Sequence, residues 1–145
     1  IDRAEATGGP RGATVQNEYS LMCRLYDTDM AEMSVNEDVT LLAFSPLAAG
    51  ILTGKYLDGA VPKGSRRALT PAAARAWLDL AAAHGVDPVH MALAWHRTRP
   101  FASIPIFGAT DMGQLDRILG GTDVTLSDAL IADIVEVHRA HPMPY

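Results

Sequence analysis

The sequence predicts an α/β protein with about three parallel strands and flanking helices, and three observations support this. Short apolar runs bounded by turn residues, such as residues 39–44, are typical of buried parallel strands. Alanine-rich stretches over residues 72–74 and 81–83 favour helix. Strand-like and helix-like segments alternate along the chain, which is the pattern of a parallel α/β sheet.

The first part of the chain is expected to hold a helix, a strand and a second helix. A helical tail over residues 1–6 stops at a Gly-Gly-Pro turn, and residues 13–17 form a short β-branched strand. Asp27 or Thr28 is expected to cap a helix over residues 29–35.

The middle of the chain contains the second strand, residues 39–44, followed by a long irregular segment over residues 45–70. Loops of this length in compact domains are usually binding loops or lids. Thr70 and Pro71 are expected to open the next helix as N-cap and first helical residue, and this helix runs to about residue 84.

The remaining elements follow from similar signals. Asp87 and the proline after it start a helix through about residue 97, and residues 103–107 form the third strand. A proline within this strand points to a strand end or an irregularity. A helix over about residues 112–119 and a final helix capped by Ser127 complete the chain; the final helix has one apolar stripe of Leu130, Ile131, Ile134 and Val137.

Composition excludes several classes of protein. The chain has 145 residues, of which 48% are hydrophobic and 20% charged, as in a soluble globular domain with a sizeable core. Its net charge of −5 argues against nucleic acid as a partner, because phosphates require clustered Lys and Arg. No apolar run approaches the ~18 residues that span a bilayer, and the first residues lack a signal-peptide pattern. We therefore expect a cytoplasmic protein without a membrane partner.

The sequence predicts neither a disulfide or reactive thiol at its cysteine nor a metal site at its histidines. The single cysteine, Cys23, excludes an internal disulfide and is more often a small buried side chain than a reactive thiol. His138 and His141 have a spacing compatible with a metal, but a charge pattern at a helix end is the commoner cause. We expect no metal site.

Two corners, where a strand ends and a loop begins, carry candidate chemistry. Phe44 ends the second strand and is followed by a loop of small residues. Such an aromatic is either core or a platform for a flat ligand, and the small residues favour the platform because a ligand can approach their backbone. The second corner, residues 108–114, opens a helix. It is either an anion site at a helix N-terminus or an ordinary turn capped by Thr110 or Asp111.

Three segments resemble the aldo-keto reductase family: the Gln-Asn-Glu-Tyr sequence at 16–19, the Phe44 corner and residues 105–115. They occur in the family's order over about residues 13–144, and the similarity is strongest to the bacterial branch with potassium-channel β-subunit-like enzymes. The resemblance implies a TIM-type (β/α)8 barrel, of which residues 1–145 form the C-terminal, cofactor-binding half. It implies an NADPH-dependent oxidoreductase that reduces small aldehydes or ketones by hydride transfer, with a homo-oligomer as a possible assembly.

The resemblance also implies a cofactor site. Gln16 would bind the nicotinamide carboxamide and Phe44 would stack on the nicotinamide ring. The pyrophosphate path would be lined by four loop residues and two cations, Ser45, Pro46, Leu47, Ala48, Lys55 and Arg66. The adenosine 2′-phosphate end would be met by Gly108, Thr110 and Gln114.

Departures from the family pattern affect the adenosine end and one loop. Arg117 and Ile118 stand where relatives often carry Glu and Asn. Arg117 would either pair with the 2′-phosphate or be a solvated helix charge, whereas Ile118 has no hydrogen-bonding group for adenine. Residues 64–71 are also fewer than in many relatives, either through a deletion or through omitted residues.

The family's catalytic Asp, Tyr, Lys and His are not carried by this sequence, so we assign no catalytic residue. Together with the initial Ile1, this favours a fragment that lacks an N-terminal catalytic half and is itself inactive. The alternative is a non-catalytic dinucleotide-binding module that acts as an accessory or interaction protein.

Overall fold

The computed structural model describes residues 1–56 and 71–142. Three parallel strands form one sheet in the order β1-β2-β3, namely β1 (Thr14–Glu18), β2 (Thr40–Phe44) and β3 (Ser103–Ile106). The helices are α1 (Asp2–Ala6), α2 (Met30–Glu37), α3 (Pro71–Ala83), α4 (Pro88–Trp95), α5 (Met112–Leu119) and α6 (Asp128–Ala140). The predicted α/β class and element order are confirmed. The predicted cap Thr70, the cation Arg66 and most of segment 64–71 lie outside the described residues.

The two faces of the sheet differ sharply in exposure. Leu41 and Ala43 of the central strand are fully buried beneath the helices. On the opposite face, Phe44, Ile104 and Ile106 are 38%, 54% and 42% exposed. Phe44 pairs in register with Ile106, so their side chains neighbour each other at the carboxyl ends of the strands. This end of the sheet is where ligands bind in parallel β/α architectures.

The core lies between the sheet and the helices. Trp77 of α3 and Trp95 of α4 are its largest buried side chains, and the predicted stripe of α6 contributes through Leu130 and Ile134. Tyr19, directly after β1, stacks on Trp95 with ring centroids 4.9 Å apart. Cys23 is buried, as predicted for a lone cysteine. Among the described residues, no group of three or more His, Cys, Asp or Glu could hold a metal ion, and no helix is long and apolar enough to cross a bilayer.

Three of the predicted helix caps are observed. The carboxylate of Asp87 accepts a hydrogen bond from the Val89 amide at 2.7 Å, and that of Asp111 accepts one from the Gln114 amide at 2.9 Å. Ser127 accepts one from the Leu130 amide. Each cap satisfies an amide that the first turn of a helix leaves without a partner.

The predicted cap of α2 is wrong. Asp29 occupies the N-cap position without a side-chain hydrogen bond, and Thr28 donates instead to the Leu25 carbonyl at 2.7 Å. Asp27 is drawn away from the helix because Arg24 and Arg99 bind its carboxylate at 2.7 and 3.2 Å. An ion pair that is only about a fifth exposed outweighs a cap hydrogen bond.

Buried His96 makes the stability of the fold depend on pH. Its Nδ1 is 2.8 Å from the Ser103 hydroxyl, and its Nε2 has no partner among the described residues. Burial, with a contribution from the charge of Arg99, lowers the pKa of His96 from 6.5 to about 4. The neutral ring is therefore favoured in the folded state, and its stabilising contribution is complete above pH 6.5 and is lost as the pH falls towards 4.

We expect the free energy of unfolding to fall between pH 6.5 and pH 4, because the unfolded state takes up a proton at His96 more readily than the folded state does. The His96→Gln variant should lack this contribution, because glutamine does not titrate. Urea unfolding at several pH values measures both slopes. Identical slopes in the parent and the His96→Gln variant would contradict this prediction.

Candidate functional site

The loop after β2 has an unusual backbone. Ser45, Ala48 and Ala49 adopt positive φ angles of 55°, 48° and 54°, and Gly50 follows at 89°. A left-handed conformation is costly for residues other than glycine, by roughly 1–2 kcal/mol each. Strain of this kind is concentrated at functional sites, where the surrounding structure maintains it. Turn hydrogen bonds hold the loop, including Ala48 amide to Ser45 carbonyl at 2.8 Å.

Gly50 has a second role, which is to make room for Lys55. A Cβ on Gly50 would lie 3.0 Å from Cε and 3.2 Å from Nζ of Lys55. The ammonium therefore folds over the glycine backbone, 5.0 Å from the centre of the Tyr56 ring. Lys55 is exposed, and no carboxylate among the described residues lies within ion-pair distance of it.

The second corner, after β3, is organised by Gln114. Its side-chain oxygen accepts hydrogen bonds from both the amide and the hydroxyl of Thr110 at 3.2 Å. Its amide nitrogen donates to the Asp111 carboxylate at 2.6 Å. Asp111 and Gln114 therefore close a capped turn at the start of α5, in which the Gln114 side-chain oxygen accepts from both Thr110 donors.

These two corners, together with helices α4 and α5, line a cleft of about 550 Å³. Most of the predicted cofactor residues line it, namely Ser45, Pro46, Leu47, Lys55, Gly108, Thr110, Gln114 and Arg117. Three further predicted residues that the structure describes do not line it. Ala48 is buried below the loop, while Gln16 and Phe44 are exposed on the open sheet face without lining the cleft.

Several lining residues were missed from the sequence, namely Ala49, Gly50, Thr53, Val89, Ile106, Phe107 and Ile118. Ile106 and Phe107 directly precede Gly108 at the end of the third strand, so their position was a usable signal. Val89 and Ile118 belong to two helices that pack against each other and against Leu47. Their place depends on tertiary packing that local sequence does not specify.

Arg117 is paired with other groups of the chain. Its Nε and Nη2 donate to the two carboxylate oxygens of Asp87 at 2.8 and 3.1 Å, and its Nη1 donates to the Thr53 carbonyl at 3.3 Å. Arg117 is therefore an ion-paired charge whose side chain is still 39% exposed, and its contact with the 2′-phosphate stays a prediction. Burial acts to raise the pKa of Asp87, but the hydrogen bonds from Arg117 and the Val89 amide, with the charges of Arg117 and His90, lower it overall.

The sequence profile of the Aldo/keto reductase family matches residues 1–139. The protein tas of Escherichia coli (strain K12) is 42% identical over 146 residues, which cover 93% of this chain and 42% of that protein. A probable voltage-gated potassium channel subunit beta of Arabidopsis thaliana is 33% identical over 144 residues, covering 88% of this chain and 44% of that protein.

Among solved structures, the glycerol dehydrogenase of Gluconobacter oxydans superposes with a TM-score of 0.74 at 24% identity, covering 90% of this chain and 43% of that one. The predicted fold class, the C-terminal part of a (β/α)8 barrel, is therefore confirmed. The chain spans less than half the length of these similar proteins.

Proposed function

Because the chain belongs to the aldo/keto reductase family, we propose that it forms the cofactor-binding part of an NADPH-dependent oxidoreductase that reduces aldehydes or ketones. Bound NADPH supplies the hydride in such a reaction. The residues of this chain bind and orient the dinucleotide. The observation that carries the proposal is Lys55, a cation in the cleft that has no carboxylate partner among the described residues.

The cleft suits a phosphate-bearing ligand. Its volume of about 550 Å³ is within the usual range for small-molecule sites. The ammonium of Lys55 supplies positive charge at one wall, and the Thr110 amide and hydroxyl supply donors at the other. A phosphate oxygen at the second wall would accept from these exposed Thr110 donors in place of the Gln114 oxygen, and such hydrogen bonds to a charged acceptor are stronger than those to a neutral amide oxygen.

Each predicted cofactor residue other than Arg117 has a ligand-binding role in this proposal. Phe44 stacks on the nicotinamide and Gln16, on the same sheet face, binds its carboxamide. The pyrophosphate lies along the loop formed by Ser45, Pro46, Leu47 and Ala48, with Lys55 and Arg66 as cations. Gly108, Thr110 and Gln114 meet the 2′-phosphate end, where Gly108 presents backbone with open space beside its Cα.

We expect Phe44→Ala to weaken NADPH binding about tenfold, because the ring supplies both apolar area and stacking. Phe44→Trp keeps a ring and adds a fluorescent reporter. Its emission should be quenched on saturation, whereas Trp77 and Trp95 are buried away from the cleft. Ile104→Ala, on the same face but nearer the start of the strands, is the matched control. Equal losses at positions 44 and 104 would contradict the stacking role.

A non-catalytic accessory module is the second candidate, and two observations favour it. A relative at 33% identity is described as a probable potassium channel subunit beta. Tyr19 is also unsuited to proton donation, because burial, with the hydrogen bond to Asp27, raises its pKa. NADPH binding without NADPH-dependent carbonyl reduction by the full protein would favour the module, whereas turnover would favour the enzyme.

A further inference from the structure

We propose, on the basis of the proposed cofactor site, that Arg117 is a positioning residue. Its hydrogen bonds to Asp87 and Thr53 hold three walls of the cleft, namely α5, α4 and the loop after β2, in fixed relative positions, and we call this arrangement the latch. Recognition of the 2′-phosphate then falls on other groups of the cleft. Arg117 contributes to dinucleotide binding by keeping α5, α4 and the loop after β2 in place.

The side chain of Arg117 spans the three walls. Both carboxylate oxygens of Asp87, at the start of α4, accept from the guanidinium at 2.8 and 3.1 Å. The third hydrogen bond is to the Thr53 carbonyl in the loop. A bidentate arginine–carboxylate pair fixes geometry better than a single point charge does. Asp87 is itself fixed, since it also accepts from the Val89 amide at 2.7 Å.

The backbone of residue 117 is held by the same helix. His90, in the first turn of α4, has its Nε2 2.6 Å from the Arg117 carbonyl. Beneath these polar contacts, Val89 and Leu93 of α4 pack on buried Ile118, with Leu47 of the loop against them. Both the side chain and the backbone carbonyl of Arg117 are therefore held by hydrogen bonds within the chain.

The charge balance explains why Arg117 is a poor phosphate ligand here. A guanidinium has five N–H donors, and the three described hydrogen bonds use three of them. The Asp87 carboxylate offsets the positive charge and would repel an approaching phosphate dianion. Lys55 carries no such neutralising partner among the described residues.

The test compares binding of NADPH and of NADH, which differ at the 2′-phosphate, to the parent protein and to Arg117→Met, Asp87→Asn and the double variant. Arg117→Met should weaken both dinucleotides by the same factor, about tenfold. Asp87→Asn should weaken both as well, and the double variant should be no worse than Arg117→Met. Arg75→Met, which removes an exposed positive charge from α3, should leave both affinities unchanged.

Two results would overturn the latch. One is a loss in Arg117→Met that is at least tenfold greater for NADPH than for NADH. The other is tighter NADPH binding by Asp87→Asn, which would mean that Asp87 restrains a phosphate ligand. Thermal unfolding of the parent, the two single variants and the double variant gives a readout without ligand. The latch predicts strongly non-additive shifts in Tm, and additive shifts would overturn it. This readout remains valid even if the parent protein binds neither dinucleotide. Absence of dinucleotide binding would refute the proposed function and not the latch.

Discussion

Replacing Lys55 by methionine is expected to weaken NADPH binding by about 10- to 100-fold, the range of a charge-assisted hydrogen bond. The reason is that Lys55 and Arg117 are the two cations lining the cleft among the described residues, and Arg117 is already paired with Asp87. Removing Lys55 leaves the phosphates of a dinucleotide without a compensating charge on this part of the cleft wall. Isothermal titration of NADPH into the parent and variant proteins measures the change.

Two controls separate this effect from general loss of charge. Lys55→Arg keeps the positive charge and should retain most of the affinity. Arg75→Met removes an exposed positive charge of α3 and should have no effect. Lys55→Met should also flatten the dependence of affinity on salt, because one exposed ionic interaction is lost. An unchanged affinity in Lys55→Met would show that the phosphates do not lie in this cleft.

Gly121→Ala is expected to destabilise the protein by about 2–3 kcal/mol through overpacking. A Cβ on Gly121 would lie 2.5 Å from Cδ2, 2.8 Å from Cγ and 3.1 Å from Cα of His90. The ring has little freedom to move, since its Nε2 is held 2.6 Å from the Arg117 carbonyl. Because the third of these atoms belongs to the backbone of α4, relief of the overlap requires α4 and α5 to separate.

Gly121→Ala should impair dinucleotide binding in the cleft as well as the stability of the fold. Separation of α4 and α5 would displace Arg117 from Asp87 and weaken dinucleotide binding, so both the urea midpoint and the NADPH affinity should fall. Gly12→Ala is the matched control, because nothing lies within 4 Å of a Cβ built there. Equal stability of the two alanine variants would contradict the close packing of His90 on Gly121.

Much of the fold could be predicted because its signals are local. Asp87, Asp111 and Ser127 each lie directly before a helix and bind an amide two or three residues later. The apolar run of β2 and the glycine corner after β3 are likewise recognisable within a few residues. The cap of α2 was mispredicted because the partners of Asp27 include Arg99, which is 72 positions along the chain.

In the candidate site, too, the parts that depend on short local motifs could be predicted and the parts that depend on tertiary packing could not. The loop after β2 and the corner at Gly108 were found from short motifs, and the cleft lies between them. The Asp87–Arg117 pair was not found, because it joins residues 30 positions apart on two helices. Its formation depends on how α4 and α5 pack, and the positioning role proposed for Arg117 rests on this pair.

The most direct test of the proposed cofactor site is an equilibrium titration of the protein with NADPH and with NADH, monitored by calorimetry in a sample that unfolds cooperatively. We expect saturable binding at one site, tighter for NADPH than for NADH and weakened by added salt. Absence of saturable binding of either dinucleotide would contradict the account.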